Sequence, residues 1–184
     1  MYNTSSHPQV RYSLEALTKG LFFYLEKDPL NRITVSQICA QAGLTRRTFY
    51  RNCSCKEDLI FYACDRLTDR LLDTVDFGSE DARTLYLNFF TFWLEHRRFL
   101  SCIVRCDFYG YFVERFIALC TQKMRFPLQE RAFEGQEHPD TLRRFCNSFL
   151  LGGMSRMLYA WAEEGFISTA DEISRSILFL VPAK

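Results

Sequence analysis

Glycine and proline are scarce in this chain, eight and five of 184 residues, and most of them fall between stretches of periodic apolar side chains. That scarcity disfavours the many tight turns of an all-β protein and favours helices joined by short breaks. No apolar run approaches the roughly 20 residues that a membrane-spanning helix needs, so no membrane partner is expected. The opening ten residues are polar and lack the basic-then-apolar pattern of a secretion leader, which predicts a cytoplasmic protein with a flexible tail over residues 1–10. Histidine is also rare: His7, His96 and His138 stand in unrelated contexts. With no glycine-rich phosphate loop and no nucleophile–base arrangement, no catalytic residue, metal site or cofactor is predicted, and an enzyme is not expected.

Cysteine is the exception to this sparseness. Eight thiols are present, at 39, 53, 55, 64, 102, 106, 120 and 146, with no Cys-x-x-Cys pair and no framework spacing. Several fall on apolar helix faces, where a thiol behaves as a small hydrophobe in a reducing compartment. Hydrophobic residues make up 48% and charged residues 24%, enough apolar material for a sizeable core.

The net charge of +1 conceals a split. Between Arg11 and Lys56 eight basic side chains face three acidic ones, a local excess of +5 that leaves the remainder at −4. A basic end on a mildly acidic chain points to a polyanionic partner at that end.

The apolar spacing predicts helices throughout. Leu14, Leu17, Leu21 and Leu25 form one stripe in a helix starting near Tyr12 or Ser13 and ending before Asp28-Pro29. Thr34 then stands as an N-cap before Val35, Ile38, Cys39 and Ala42, which repeat at helical intervals. Gly43 follows where a left-handed residue ends a helix, and Thr45 caps a second short helix from Arg46 to about Asn52. A fourth helix is predicted over 56–74, and further ones near 81–97, 99–106, 108–131, 140–164 and 169–180, the last opening with a Thr169/Glu172 capping box. Segment 132–139 is the expected exposed loop.

Two short helices joined by a tight glycine turn cannot bury a core of their own, so the first and fourth helices must clamp them. The outer face of the second then carries Thr45, Arg46, Arg47, Thr48, Tyr50 and Arg51, long or hydrogen-bonding side chains able to reach into a major groove. Phe49 between them reads as core. Arg51 reads equally as a DNA contact or as a solvated surface charge.

This stretch, Ile33 to Leu59, resembles the headpiece of the TetR/AcrR family, including its run of cap, variable pair, Thr-Phe-Tyr, then Lys-Glu at the next helix start. The resemblance covers roughly residues 12–66. It implies an all-α fold of about nine helices: a three-helix helix-turn-helix headpiece over 11–56, a connecting helix, and a C-terminal body over 75–184 for ligand binding and dimerisation. It implies double-stranded operator DNA, a second copy of the chain and a small-molecule effector as partners. By position, Thr34, Ser36, Thr45, Thr48 and Tyr50 resemble phosphate or base contacts, Arg46 and Arg47 occupy the base-reading positions, and Lys56 resembles a phosphate-binding lysine. Asn52-Cys53 departs from the family pattern. Asn52 retains a donor for phosphate, and the small Cys53 implies packing rebuilt by a neighbour such as Phe61. That departure alone favours the alternative of a headpiece serving a protein partner without DNA.

Beyond residue 85 large apolar side chains crowd the sequence. Each reads as core or as pocket wall. The resemblance implies a pocket, with Phe89, Trp93, Phe112, Phe116, Met154 and Trp161 as its candidate lining. It also implies a four-helix dimer interface from the last two helices, with Phe145, Phe149, Ile173, Ile177 and Leu180 as candidates for either interface or interior. Gly152-Gly153 inside a long apolar helix costs about 1 kcal/mol per glycine against alanine, which calls for a close helix approach, a kink or a ligand.

Overall fold

The computed structural model describes residues 1–77, 81–123 and 137–180, without the side chains of Gln122, Lys123, Pro139 and Leu180. Among the described residues the secondary structure is helical, with nine α-helices and one 3-10 turn. The end of the helix expected over 108–131 and most of the expected loop 132–139 lie outside the described residues.

Helix α1 spans Pro8–Leu25 and so begins earlier than its leucine stripe suggests. Proline is tolerated in a first turn because its missing donor has no helical partner there. His7 supplies the cap, its Nδ1 accepting from the Gln9 amide at 3.2 Å. Leu14, Leu17, Leu21 and Leu25 are buried as their spacing predicts. The residues ahead of α1 correct the expectation of a flexible tail over 1–10. Tyr2 stacks edge-on against Tyr62 at 5.3 Å, and its hydroxyl donates to Asp65 at 2.5 Å. The Asn3 amide donates to the Asn52 carbonyl at 2.8 Å. An aromatic side chain with a buried polar partner holds this segment down.

A 3-10 turn at Leu30–Arg32 leads to α2 (Val35–Ala42), α3 (Arg46–Asn52) and α4 (Glu57–Thr74). Ile33, Ile38, Cys39, Phe49, Cys53, Leu59 and Ile60 close over the leucines of α1. Gly20 is what lets α1 and α2 approach: a Cβ there would sit 2.8 Å from the Ile38 carbonyl oxygen.

The body comprises α5 (Ala82–Glu95), α6 (Arg97–Arg105), α7 (Tyr109–Lys123), α8 (Pro139–Glu163) and α9 (Ala170–Leu180). Helix α9 lies along α5, while α8 packs on α6 and α7. The Thr169/Glu172 capping box forms as expected, with the Thr169 amide donating to Glu172 at 2.8 Å and the Glu172 amide donating back to Thr169 Oγ1 at 3.2 Å.

Headpiece and body meet through side chains rather than a linker alone. Arg105 on α6 reaches the end of α1, donating to the Leu25 carbonyl at 2.6 Å and the Glu26 carbonyl at 3.3 Å. Phe22 of α1 stacks on Phe99 of α6 at 5.6 Å. Asp65 of α4 pairs with Arg115 of α7 at 2.7 Å, and Phe61 packs against Tyr111 at 4.0 Å between centroids.

Candidate nucleic-acid interface

The rigidity of α2 and α3 follows from their caps. Thr34 Oγ1 accepts from the Gln37 amide at 3.2 Å, and Gln37 Oε1 accepts from the Thr34 amide at 2.8 Å, closing a reciprocal box. Gly43 adopts φ 65° and ψ 30°, and the Leu44 amide returns to the Cys39 carbonyl at 2.9 Å. A β-carbon at that φ would be strained, which is why the turn carries glycine. Thr45 then caps α3, accepting from the Thr48 amide at 3.1 Å.

Phe49 is fully buried and fixes the roll of α3, so the opposite face is presented outward. That face holds Arg46, Arg47 and Arg51, all exposed, and Tyr50, which is 54% exposed. The Arg46 guanidinium lies over the Tyr50 ring at 5.9 Å, an arrangement that holds both without neutralising the charge. None of the three arginines forms an ion pair among the described residues. Thr34, Ser36 and Thr45 are exposed beside them, and Thr48 is half-buried.

Two expected contacts are placed elsewhere. Asn52 is buried, its Nδ2 donating to the Thr48 carbonyl at 2.8 Å, so its donor is turned into the headpiece. Lys56 turns inward: its Nζ donates to the carbonyls of Leu30 at 2.6 Å and Ile33 at 2.9 Å, closing the turn that precedes α2. The ammonium gives the Ile33 carbonyl a donor and adds a second to the Leu30 carbonyl, which already accepts from the Ile33 amide at 3.1 Å. Cys53 is buried, and burial pushes its thiol up to about 12. Phe61 packs against Phe108 and against Tyr111 of α7. Gln37, the partner in the box, was legible as the fourth residue of Thr-x-x-Gln. Gly20 carried no signal beyond being a glycine within a leucine stripe.

In the body, the six expected pocket residues are all buried among the apolar side chains. Phe89, Trp93, Phe112 and Phe116 are fully buried, with Met154 and Trp161 nearly so. Trp93 sits among three of these rings at centroid distances of 5.2 Å (Phe112), 6.4 Å (Phe116) and 6.5 Å (Phe89). Edge-to-face packing of this kind is the geometry that aromatic rings prefer.

The dimer candidates divide. Phe145 and Phe149 are 62% and 75% exposed on α8, while Ile173 is half-buried and Ile177 is buried. Ile177 therefore belongs to the core, where α9 lies along α5. The side chain of Leu180 lies outside the described residues. Leu142 and Phe179 join the exposed apolar set, and a Cβ at Gly152 or Gly153 would meet nothing within 4 Å.

Among the described residues no group of His, Cys, Asp or Glu is placed to hold a metal ion, and no helix is long and apolar enough to cross a membrane. No family model matches the sequence, and no curated protein matches it. Among solved structures, the chain is similar to a TetR transcriptional regulator from Streptococcus agalactiae, with a TM-score of 0.66 and 19% identity over 94% of this chain and 95% of that one. It is also similar to the fatty acid degradation regulator FadR from Bacillus halodurans, with a TM-score of 0.59 and 13% identity over 96% of each chain. At these identities the likeness is one of fold: an all-α chain with an N-terminal helix-turn-helix and a helical body.

Proposed function

We propose that this chain is a DNA-binding transcription regulator of the TetR type, acting as a homodimer on a palindromic operator, in the simplest case as a repressor. The observation that carries the reading is the outer face of α3, where Arg46, Arg47 and Arg51 stand exposed around Tyr50, without an ion pair among the described residues, on a helix whose other side is locked into the headpiece core. Arginine reads guanine bidentately, and the remaining cations and hydroxyls of Thr34, Ser36, Thr45, Thr48 and Tyr50 serve the phosphates that set the register. Asn52 and Lys56 are left out of this contact set, since the Asn52 side chain is buried and its Nδ2 and the Lys56 ammonium already donate within the chain. The alternative of a headpiece serving a protein partner loses its support, because Asn52 and Cys53 lie in the interior and leave the outer face unaltered.

Dimerisation is supported by the stripe of Leu142, Phe145 and Phe149 on α8, continued by Gly152 and Gly153 and flanked by Phe179 on α9. Large exposed rings beside backbone that another helix can approach closely suit a second copy of the same surface. In such a dimer an effector acts by population shift, favouring a headpiece spacing that does not fit two major grooves about 34–36 Å apart.

The test is fluorescence anisotropy with a duplex taken from the region upstream of the gene. The expected result is binding at least about 10³-fold tighter than to a scrambled duplex at physiological salt. Arg46→Ala is expected to lose about 1–3 kcal/mol of base discrimination at one position per half-site. Equal affinity for both duplexes would refute the reading.

A further inference from the structure

A cleft of about 410 Å³ opens between α1 and α4 at the junction with the body, where Phe99 borders the packed rings of the core. Its walls are of two kinds. Phe22 and Phe99, stacked on each other, give it an apolar side with aromatic faces. Lys19, Arg66 and Arg70 give it three cations against the single carboxylate of Glu15, and Glu15 already leans toward Arg11 at 4.0 Å. None of the three cations is ion-paired among the described residues.

Two hydroxyls distinguish this cleft from an ordinary surface fold. Tyr62 lines it and is only 6% exposed, yet its hydroxyl has no hydrogen-bond partner, and the Oγ1 of Thr18, also in the lining, is buried and unpartnered too. Buried donors are nearly always satisfied in folded proteins, so two orphans on one cleft mark a place for an acceptor. Burial also pushes the Tyr62 phenol up, which keeps it protonated and a donor.

We propose that this cleft binds a small aryl carboxylate, its ring against Phe22 and Phe99 and its carboxylate taken by Arg66, Arg70 and the hydroxyls of Tyr62 and Thr18. The volume falls within the range of small-molecule sites, and the mix of an apolar wall with a few convergent polar groups is what such sites need. Water would satisfy the hydroxyls but would leave the aromatic wall wet. Because α1 and α4 both carry the headpiece, a ligand wedged between them alters how the headpiece is held. That coupling rests on the proposed regulator function, whereas the binding itself does not.

The two parts are tested separately. Isothermal titration of the full chain, without DNA, uses 2-naphthoate as probe and 2-naphthamide as its uncharged counterpart. Saturable one-to-one binding of naphthoate is expected, with naphthamide about tenfold weaker or more. The double variant Arg66→Gln/Arg70→Gln is expected to lose about tenfold for naphthoate while leaving naphthamide unchanged, and Tyr62→Phe to weaken naphthoate several-fold. No saturable binding at about 1 mM, or equal naphthoate affinity in wild type and the double variant, would overturn the site. For the coupling, saturating naphthoate is expected to shift the affinity for operator DNA in wild type and not in the double variant. An unchanged affinity would overturn the coupling alone. A protein that binds naphthoate but no DNA would overturn the regulator function and leave the site standing.

Discussion

Replacing Lys56 by methionine removes an ammonium and keeps the apolar stem that carries it. In the folded chain that ammonium donates to the Leu30 and Ile33 carbonyls at 2.6 and 2.9 Å, at the 3-10 turn ahead of α2. A hydrogen bond with a charged partner contributes about 1.5–3 kcal/mol, so the pair has an upper bound near 6 kcal/mol. The site is half-buried and water reaches part of it, so the loss on substitution is expected to be about 2 kcal/mol. For a chain of this length each kcal/mol lowers Tm by about 2–4 °C, which puts the expected drop at about 4–8 °C by differential scanning calorimetry. The companion measurement is the salt dependence of binding to a labelled duplex, by anisotropy between about 50 and 200 mM salt. A lysine on a phosphate would change the slope of log affinity against log salt by about 0.9, whereas an intramolecular lysine leaves it unchanged. An unaltered Tm together with a slope shallower by about 0.9 would refute the inward role and restore a phosphate contact.

Gly20→Ala offers a test by sign. Intrinsic helix propensity alone would stabilise α1 by about 0.8–1 kcal/mol. Because the new methyl meets the Ile38 carbonyl at 2.8 Å, we expect a loss of about 1–3 kcal/mol instead, and a raised Tm would refute the close approach of α1 and α2. Phe149→Glu, on a side chain 75% exposed, is expected to leave a folded monomer in sedimentation equilibrium; a dimer that survives it would place the interface elsewhere. In thiol alkylation at about pH 8, exposed Cys55 is expected to react first. Cys53, buried and with its thiol held up to about 12, is almost wholly protonated at that pH and is expected to react only on unfolding. Equal labelling rates for the two would contradict the burial.

How much of this was legible in the sequence depended on how far apart the interacting groups lie. The caps and turn of the helix-turn-helix, at Thr34, Gly43 and Thr45, are decided within four residues, and reading them in order located α2 and α3. Phe49 followed from apolar spacing, and with it the outward face of α3. The fate of Lys56 was not legible, since its acceptors stand 26 and 23 residues earlier. Nor was the docking of the first residues, which depends on an aspartate 63 positions away from Tyr2. In the body, composition showed that aromatic rings abound but not whether they enclose a space. Trp93 and its neighbours interlock, while the cleft formed between α1 and α4, where the sequence had offered only a leucine stripe and some surface charge.

Arg105 carries a consequence for anyone exchanging parts between proteins of this shape. Its guanidinium, from the second helix of the body, holds the last carbonyls of α1. A chimera that transplants residues 1–56 onto a foreign body leaves those carbonyls without their donor, so the borrowed headpiece would sit loose on its new frame. Grafts would need to carry α6 with them, or supply an arginine at the matching turn.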